Sequence, residues 1–292
     1  MSELPALPFD YSALPERNNW RWPADKGLAA WVVVNIEHFE YGKLGTAVQP
    51  HLTSLPEIAN YGWRDYGNRV GIWRMFELFD HYPQIKVTAA LNADICRYYP
   101  QIVEAVLARG WEIMAHGLNN STAQAGLEEE AERKLINQTL QIIQGGTGQR
   151  PTGWLTPGFS ITTSTFDLLY AAGIRYLADW VNDDQPYYLR LASDEKMVAV
   201  PYTLETNDIT LCLSARLTGP EFSQAVRDQF DQLYRDSAAA SRVFTLALHP
   251  FIVGQPLRLR YLEEVLQHLT FYSDIWFATG QEIAAHFASL NF

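Results

Sequence analysis

Three residues in this sequence have side chains suited to acid-base chemistry and positions suited to a site: Glu37, His116 and His249. Each stands at the end of an apolar run, Trp31-Val32-Val33-Val34-Asn35-Ile36-Glu37, Glu112-Ile113-Met114-Ala115-His116 and Thr245-Leu246-Ala247-Leu248-His249. A carboxylate and two imidazoles brought together can activate water and protonate a departing nitrogen, which is what hydrolysis of a C–N bond requires. A histidine at a strand end can also serve only as a hydrogen-bonded structural residue, and Glu37 could cap a turn. The crowding of Asn35, Glu37, His38 and Glu40 within six residues after a fully apolar run favours the chemical reading.

Neutral imidazole plus carboxylate also binds zinc. The spacing here argues against it, because His116 is followed by Gly117-Leu118-Asn119-Asn120 and no HExxH or HxH motif occurs. No tightly bound metal or other cofactor is therefore expected. The two cysteines, Cys96 and Cys212, form no CxxC pair and indicate neither a disulfide framework nor a zinc knuckle.

Residues that would hold a substrate are expected near these three. Arg69, in Asp65-Tyr66-Gly67-Asn68-Arg69-Val70-Gly71-Ile72-Trp73-Arg74, enters a helix and could grip a carboxylate or carbonyl, while Trp63 and Tyr66 could wall a planar ring. Asn35, Asp179 and Glu205 are further candidates, Asn35 on the first apolar run and the other two in acidic stretches that follow strands. No GxGxxG or GxxxxGK[ST] phosphate loop and no GxSxG nucleophile elbow is present.

Positioning such groups on one rim requires parallel strands that end together. Short β-branched runs alternate with stretches of helical period, so the fold class is α/β. Strands are expected at Ala29–Asn35, Lys86–Leu91, Glu112–His116, Gly153–Thr156, Tyr176–Asp179, Met197–Val200, Val243–His249 and Asp274–Ala278, which suggests a barrel. Helices are expected at Val70–His81, Tyr99–Arg109, Leu127–Gln144, Ser164–Ala172, Pro220–Ala240 and Pro256–Phe271, the third ended by Gly145-Gly146. In parallel α/β barrels the reacting groups sit at the C-terminal strand ends, where these polar residues fall. A Pro-rich arm over residues 1–23 precedes one domain over 24–292, with no linker or repeat.

A length of 292 residues, 48% hydrophobic and 19% charged, excludes a disordered or collagen-like chain. With 22 basic against 33 acidic residues the net charge is −11, which argues against nucleic acid and anionic membrane surfaces as partners. The start, Met1-Ser2-Glu3-Leu4-Pro5-Ala6-Leu7-Pro8, has no basic region followed by an apolar one, and the longest apolar run near it is Leu28 to Val34. Neither a signal peptide nor a membrane span is expected, and a cytoplasmic location is.

Four segments taken in order resemble the polysaccharide-deacetylase (NodB-homology) superfamily: Val32 to Glu37; Tyr99-Pro100-Gln101-Ile102 leading to Arg109 to Gly117; Arg150-Pro151-Thr152-Gly153-Trp154-Leu155-Thr156-Pro157-Gly158; and Leu248-His249-Pro250. The carbohydrate deacetylases of that superfamily carry an aspartate pair on the first strand and an HxxxH motif on the third, which hold a metal. Glu37 and His38 stand here where the pair would be, and Asn120 replaces the second motif histidine. These departures resemble the metal-independent allantoinases and cyclic imide hydrolases, whose Asn-x-Glu strand and YGxRxGxWR segment read here Asn35-Ile36-Glu37 and Tyr66 to Arg74.

That resemblance implies a distorted (β/α) barrel of about seven parallel strands, a homo-oligomer, and ring-opening hydrolysis of a small cyclic imide, amide or ureide without a tightly bound metal. Glu37 would be the base, with His116 and His249 assisting, and Trp154 would join the substrate contacts. His38 departs from the second glutamate expected of an allantoinase, which shifts the expectation toward an imide. Two alternatives stand beside it: a carbohydrate de-N-acetylase holding zinc loosely through His38, His116 and Glu37, and an inactive barrel that binds a sugar or metabolite.

Overall fold

A computed structural model describes residues 7–193 and 195–290. The first six residues of the N-terminal arm lie outside this range. The first strand, β1 (Leu28–Ile36), is buried along its whole length. It reads as a continuous apolar run because a parallel strand covered on both faces has no solvent side to alternate toward.

Around β1 the described residues form a nine-stranded sheet with β2 (Val87–Leu91), β3 (Glu112–Ala115), β4 (Gly153–Trp154), β5 (Tyr176–Leu177), β6 (Tyr187–Arg190), β7 (Lys196–Ala199), β8 (Arg242–Leu248) and β9 (Ile275–Phe277). The order is β6-β7-β5-β4-β3-β2-β1-β8, with β9 also paired to β1. A strand has two edges, and β8 takes one of them over Leu28 to Val34. On the other, β9 pairs with Leu28 to Ala30 and β2 with Val32 to Ile36.

The pairings are parallel except that of β6 with β7. The sheet curls into a half-barrel, and the interval beyond β8 is spanned by loop rather than strand. There Ala247 N–H donates to Thr206 O, Val243 N–H to Asp184 O, and the Thr245 hydroxyl to Pro201 O. The expected α/β class and distorted single-domain barrel are thus observed.

The expected strands are all present, and β6 is an addition to them. It follows Pro186 at the sheet's edge, where its four residues give too short a pattern to read. The helices are α1 (Ile58–Tyr66), α2 (Ile72–Asp80), α3 (Ala93–Tyr98), α4 (Pro100–Ala108), α5 (Glu129–Thr147), α6 (Thr165–Ala171), α7 (Gly219–Asp236), α8 (Pro256–Phe271) and α9 (Gly280–Ser289). Gly145-Gly146 does not end α5 as expected. Gly146 lies inside the helix, where a Cβ would come within 2.7 Å of Cys96 Cβ, so it permits close packing on α3. The helix ends at Gly148, whose φ of 72° is the left-handed cap conformation.

No helix among the described residues is long and apolar enough to cross a membrane.

Candidate active site

Six strands deliver the polar floor of the site from their C-terminal ends. Glu37 follows β1, Asn92 follows β2, His116 follows β3, Thr156 lies beyond β4, Asp179 beyond β5, and His249 follows β8. Glu37, His116 and His249 are 5%, 3% and 3% exposed. One oxygen of Glu37, Oε1, lies 3.3 Å from His116 Nε2 and 3.5 Å from His249 Nε2. Its other oxygen, Oε2, is buried without a hydrogen-bond partner among the described residues. An unpaired buried carboxylate oxygen is costly, so this one calls for a donor from water or substrate.

Each imidazole is oriented through its second nitrogen. His116 Nδ1 lies 2.7 Å from the Leu155 carbonyl oxygen. Because a carbonyl can only accept, Nδ1 carries a proton and Nε2 is the atom of His116 turned to Glu37. His249 Nδ1 lies 2.6 Å from Asp208 Oδ1, and the His249 backbone N–H donates to Asp208 Oδ2 at 2.7 Å. Asp208 therefore holds both the ring and the main chain of His249.

The charges follow from this arrangement. For Glu37, burial opposes ionisation, but the charge of His249 and hydrogen bonds from both histidines outweigh it and bring the carboxyl down to about 2. For His249, burial opposes protonation, yet Asp208 and then Glu37 push the imidazole up to about 10. Burial likewise pushes Asp208 upward, opposed mainly by His249. Near neutral pH His249 is thus an imidazolium, held between Asp208 and an ionised Glu37.

Asn92, fully buried, ties neighbouring strand ends together. Its Oδ1 accepts from His38 N–H at 2.8 Å, and its Nδ2 donates to the His116 carbonyl and, at 3.0 Å, to Asn120 Oδ1. Asn120 N–H in turn donates to the His38 carbonyl at 2.9 Å. Asn68 Nδ2 donates to the Glu37 carbonyl at 2.8 Å.

Of the expected substrate contacts, Asn35 is buried and donates to Tyr202 Oη at 3.1 Å and to the Leu248 carbonyl at 3.2 Å, so it joins β1 to the residue before His249. Asp179 accepts from the Thr156 N–H at 2.7 Å and from its hydroxyl at 2.6 Å. Burial lifts the Asp179 carboxyl to about 6 against those bonds and the nearby His116. Trp154 is a core residue whose Nε1 donates to Thr156 Oγ1 at 3.0 Å, so it supports the rim from below.

The remaining expected contacts do not join this floor. Arg69 points outward with its side chain 73% exposed, in a loose 3.9 Å pair with Asp65, because it lies on the outer side of its helical turn. Tyr66 bonds Arg74 through its hydroxyl, and Trp63 packs edge-on against Phe251 at 5.0 Å, behind the His249 loop. Glu205 is exposed in a turn where its N–H donates to Thr203 Oγ1. The residue of that stretch that enters the site is Asp208. Sequence reasoning saw the acidic run but had no signal to separate its solvated carboxylate from its buried one.

The metal pattern of the carbohydrate deacetylases is not assembled by these residues. The ring of His38 stacks on Tyr98 at 4.8 Å, and Asn120 is used by Asn92. Among the described residues, no group of three His, Cys, Asp or Glu side chains is arranged to hold a metal ion. A depression of about 820 Å³ lies at the opposite end of the strands beside Lys86, Glu112 and Arg150, away from this chemistry.

The polysaccharide deacetylase family profile matches residues 65–177. A protein of Schizosaccharomyces pombe whose name assigns it to the polysaccharide deacetylases is 29% identical over 75% of this chain and 73% of its own. A peptidoglycan deacetylase of Helicobacter pylori is 23% identical over 80% of this chain and 92% of its own. Among solved structures, the Puue allantoinase superposes with a TM-score of 0.84 at 26% identity, covering 96% of this chain and 98% of that one. A Pseudomonas aeruginosa PAO1 protein described as a polysaccharide deacetylase superposes with a TM-score of 0.84 at 27% identity, covering 94% and 95%. The resemblance to the polysaccharide-deacetylase superfamily, and within it to an allantoinase, is therefore observed in sequence and in structure.

Proposed function

We propose that this protein opens the C–N bond of a small cyclic imide, amide or ureide, using Glu37 as the base and without routing the reaction through a metal. The observation that carries this reading is the free, buried Oε2 of an ionised Glu37 whose other oxygen is shared by two imidazoles. The likeness to an allantoinase over nearly the whole chain supports it.

In this reading a water donates to Glu37 Oε2 and passes its proton there as its oxygen attacks the carbonyl carbon. His249, protonated, supplies its Nε2 proton to the ring nitrogen as the C–N bond breaks, and an Nε2–H of His116 donates to the carbonyl oxygen. The products are a carboxylic acid and a free amide, amine or urea nitrogen. A carboxylate held at about 2 is a weak base, but much of that depression comes from the charge on His249. As His249 gives up its proton to substrate, the opposing charge leaves and Glu37, protonated during attack, holds that proton through C–N cleavage. An imide nitrogen leaves more readily than that of a simple amide, which lessens the need for electrophilic help.

The test is turnover of a panel of cyclic imides and ureides, beside an N-acetylglucosamine oligomer, by protein stripped of metal. Ring opening that survives chelation and falls on the order of 10²–10⁴-fold in Glu37→Gln is the expected result. Undiminished turnover in a folded Glu37→Gln protein overturns the assignment of the base. A second reading, N-acetyl removal from an amino sugar, is favoured by the deacetylase names of the relatives. Acetate release restored only by added zinc would support it in place of the first.

A further inference from the structure

The segment between α1 and α2 is not an ordinary turn of helix. Over Gly67–Gly71 the chain widens into a π turn, closed by Ile72 N–H donating to the Gly67 carbonyl five residues earlier. Such widened turns within helices recur at functional sites because they reposition the side chains that follow. Here the widening lets one turn touch both Glu37 and the loop that carries His249.

The glycines make the second contact possible. A Cβ on Gly67 would lie 2.8 Å from Phe251 N, and one on Gly71 would lie 2.1 Å from the Pro250 carbonyl oxygen. Across the contact, a Cβ on Gly254 would fall 2.6 Å from Gly71 Cα. Main chain therefore packs on main chain along the His249-Pro250-Phe251 loop, and no side chain larger than hydrogen fits between. Next to Gly67, and turned away from that face, the buried amide of Asn68 donates to the Glu37 carbonyl at 2.8 Å.

We infer that the Gly67–Gly71 turn sets the separation between Glu37 and His249, and that Asn68 is a positioning residue that acts through the Glu37 main chain. The YGxRxGxWR segment then contributes through its glycines and its amide rather than through Arg69, which faces solvent. The Glu37 Oε1 to His249 Nε2 distance of 3.5 Å leaves little tolerance, since a further ångström breaks the contact. This inference rests on the proposed roles of Glu37 and His249, but its spectroscopic test does not depend on activity.

The experiment compares wild type with Asn68→Leu, which keeps the volume and removes the amide. Turnover of the ring-opening substrate is measured together with the nitrogen-15 resonances of the His249 imidazole at one pH. The expected result is a fall in kcat of about tenfold or more with KM changed less than about threefold, the pattern of lost transition-state positioning. The His249 Nε2 resonance should move toward its position in Glu37→Gln, while Nδ1, held by Asp208, stays in place. A merely structural role for Asn68 would move both nitrogens or neither. Gly71→Ala should act in the same direction and more strongly, and if it does not fold, Asn68→Leu alone carries the test. An unchanged Nε2 resonance in folded Asn68→Leu overturns the inference whatever happens to turnover. Should Glu37→Gln keep its activity, the proposed base is wrong, yet the resonance still shows whether Asn68 positions Glu37 against His249.

Discussion

His249 keeps its charge because Asp208 and Glu37 flank its ring, and this makes a specific demand on the pH dependence. Its imidazole is raised from 6.5 to about 10, so if it is the acid, kcat/KM should hold through neutrality and fall as the pH rises toward 10. Removing the larger of the two raising charges with Asp208→Asn should bring that alkaline limb down toward neutrality and lower kcat. A pH–rate profile of both proteins checks it, and an alkaline limb that does not move would exclude His249 as the titrating acid. The sign for stability follows the same rule. Because the folded value lies above the unfolded one, the contribution of the charged ring is complete below about 6.5 and is lost as the pH rises through about 10. Asp208 also shows where reading the sequence stops. Glu37, His116 and His249 were legible because each ends an apolar strand, whereas Asp208 lies in a loop among other acidic residues. Only the fold determines which of these carboxylates turns inward.

At the scale of elements, legibility followed the apolar period, and it failed where a buried helix face is polar. Helix α1 buries Asn60 and Arg64, and Gly62 interrupts it, so its sequence carries no apolar stripe to read. What holds it is an ion pair: Arg64 donates to Glu57 Oε1 at 2.5 Å and, at 2.8 Å, to the Thr46 carbonyl, and its guanidinium lies 4.8 Å from the Phe39 ring centre. Asn60 adds a 3.1 Å bond to Glu57 Oε2. This cluster fastens the long connection after Glu37 to the helix that leads into the π turn. Glu57→Gln should therefore cost about 3 kcal/mol, because it leaves a buried guanidinium without its counter-charge. Urea denaturation measures it, and a loss below about 1 kcal/mol would show that the pair is not what anchors the connection. Long parallel strands and amphipathic helices such as α5 were legible because burial on a regular face leaves a periodic trace. The π turn left none, since the residues that matter there are glycines and an amide chosen for main-chain contact.

Over the whole molecule the sheet is an open curl rather than a closed barrel, and an open sheet has edges to protect. On the β6 edge the protection comes from the N-terminal arm. Arg190 N–H donates to the Pro8 carbonyl at 2.7 Å, the Arg190 guanidinium pairs with Asp10 at 2.6 Å, and Phe9 packs edge-on against Trp180 and Tyr187 at 5.0 and 5.3 Å. Farther along, Arg17 binds Asp183 through two nitrogens at 2.6 and 2.7 Å. None of these contacts involves Glu37, His116 or His249. Deleting residues 1–18 should therefore leave the ring-opening reaction intact while removing a half-buried aromatic, a bidentate ion pair and the cover of an edge strand. Taken together these are worth about 2–3 kcal/mol, which for a domain of this size lowers Tm by roughly 3–5 °C. The uncovered β6 edge should also promote self-association, since its free N–H and C=O groups can pair with another chain. Calorimetry and sedimentation of the shortened protein test both effects. If Tm and sedimentation are unchanged, the arm is not what protects this edge, and if turnover is lost while the fold persists, the arm contributes to the site.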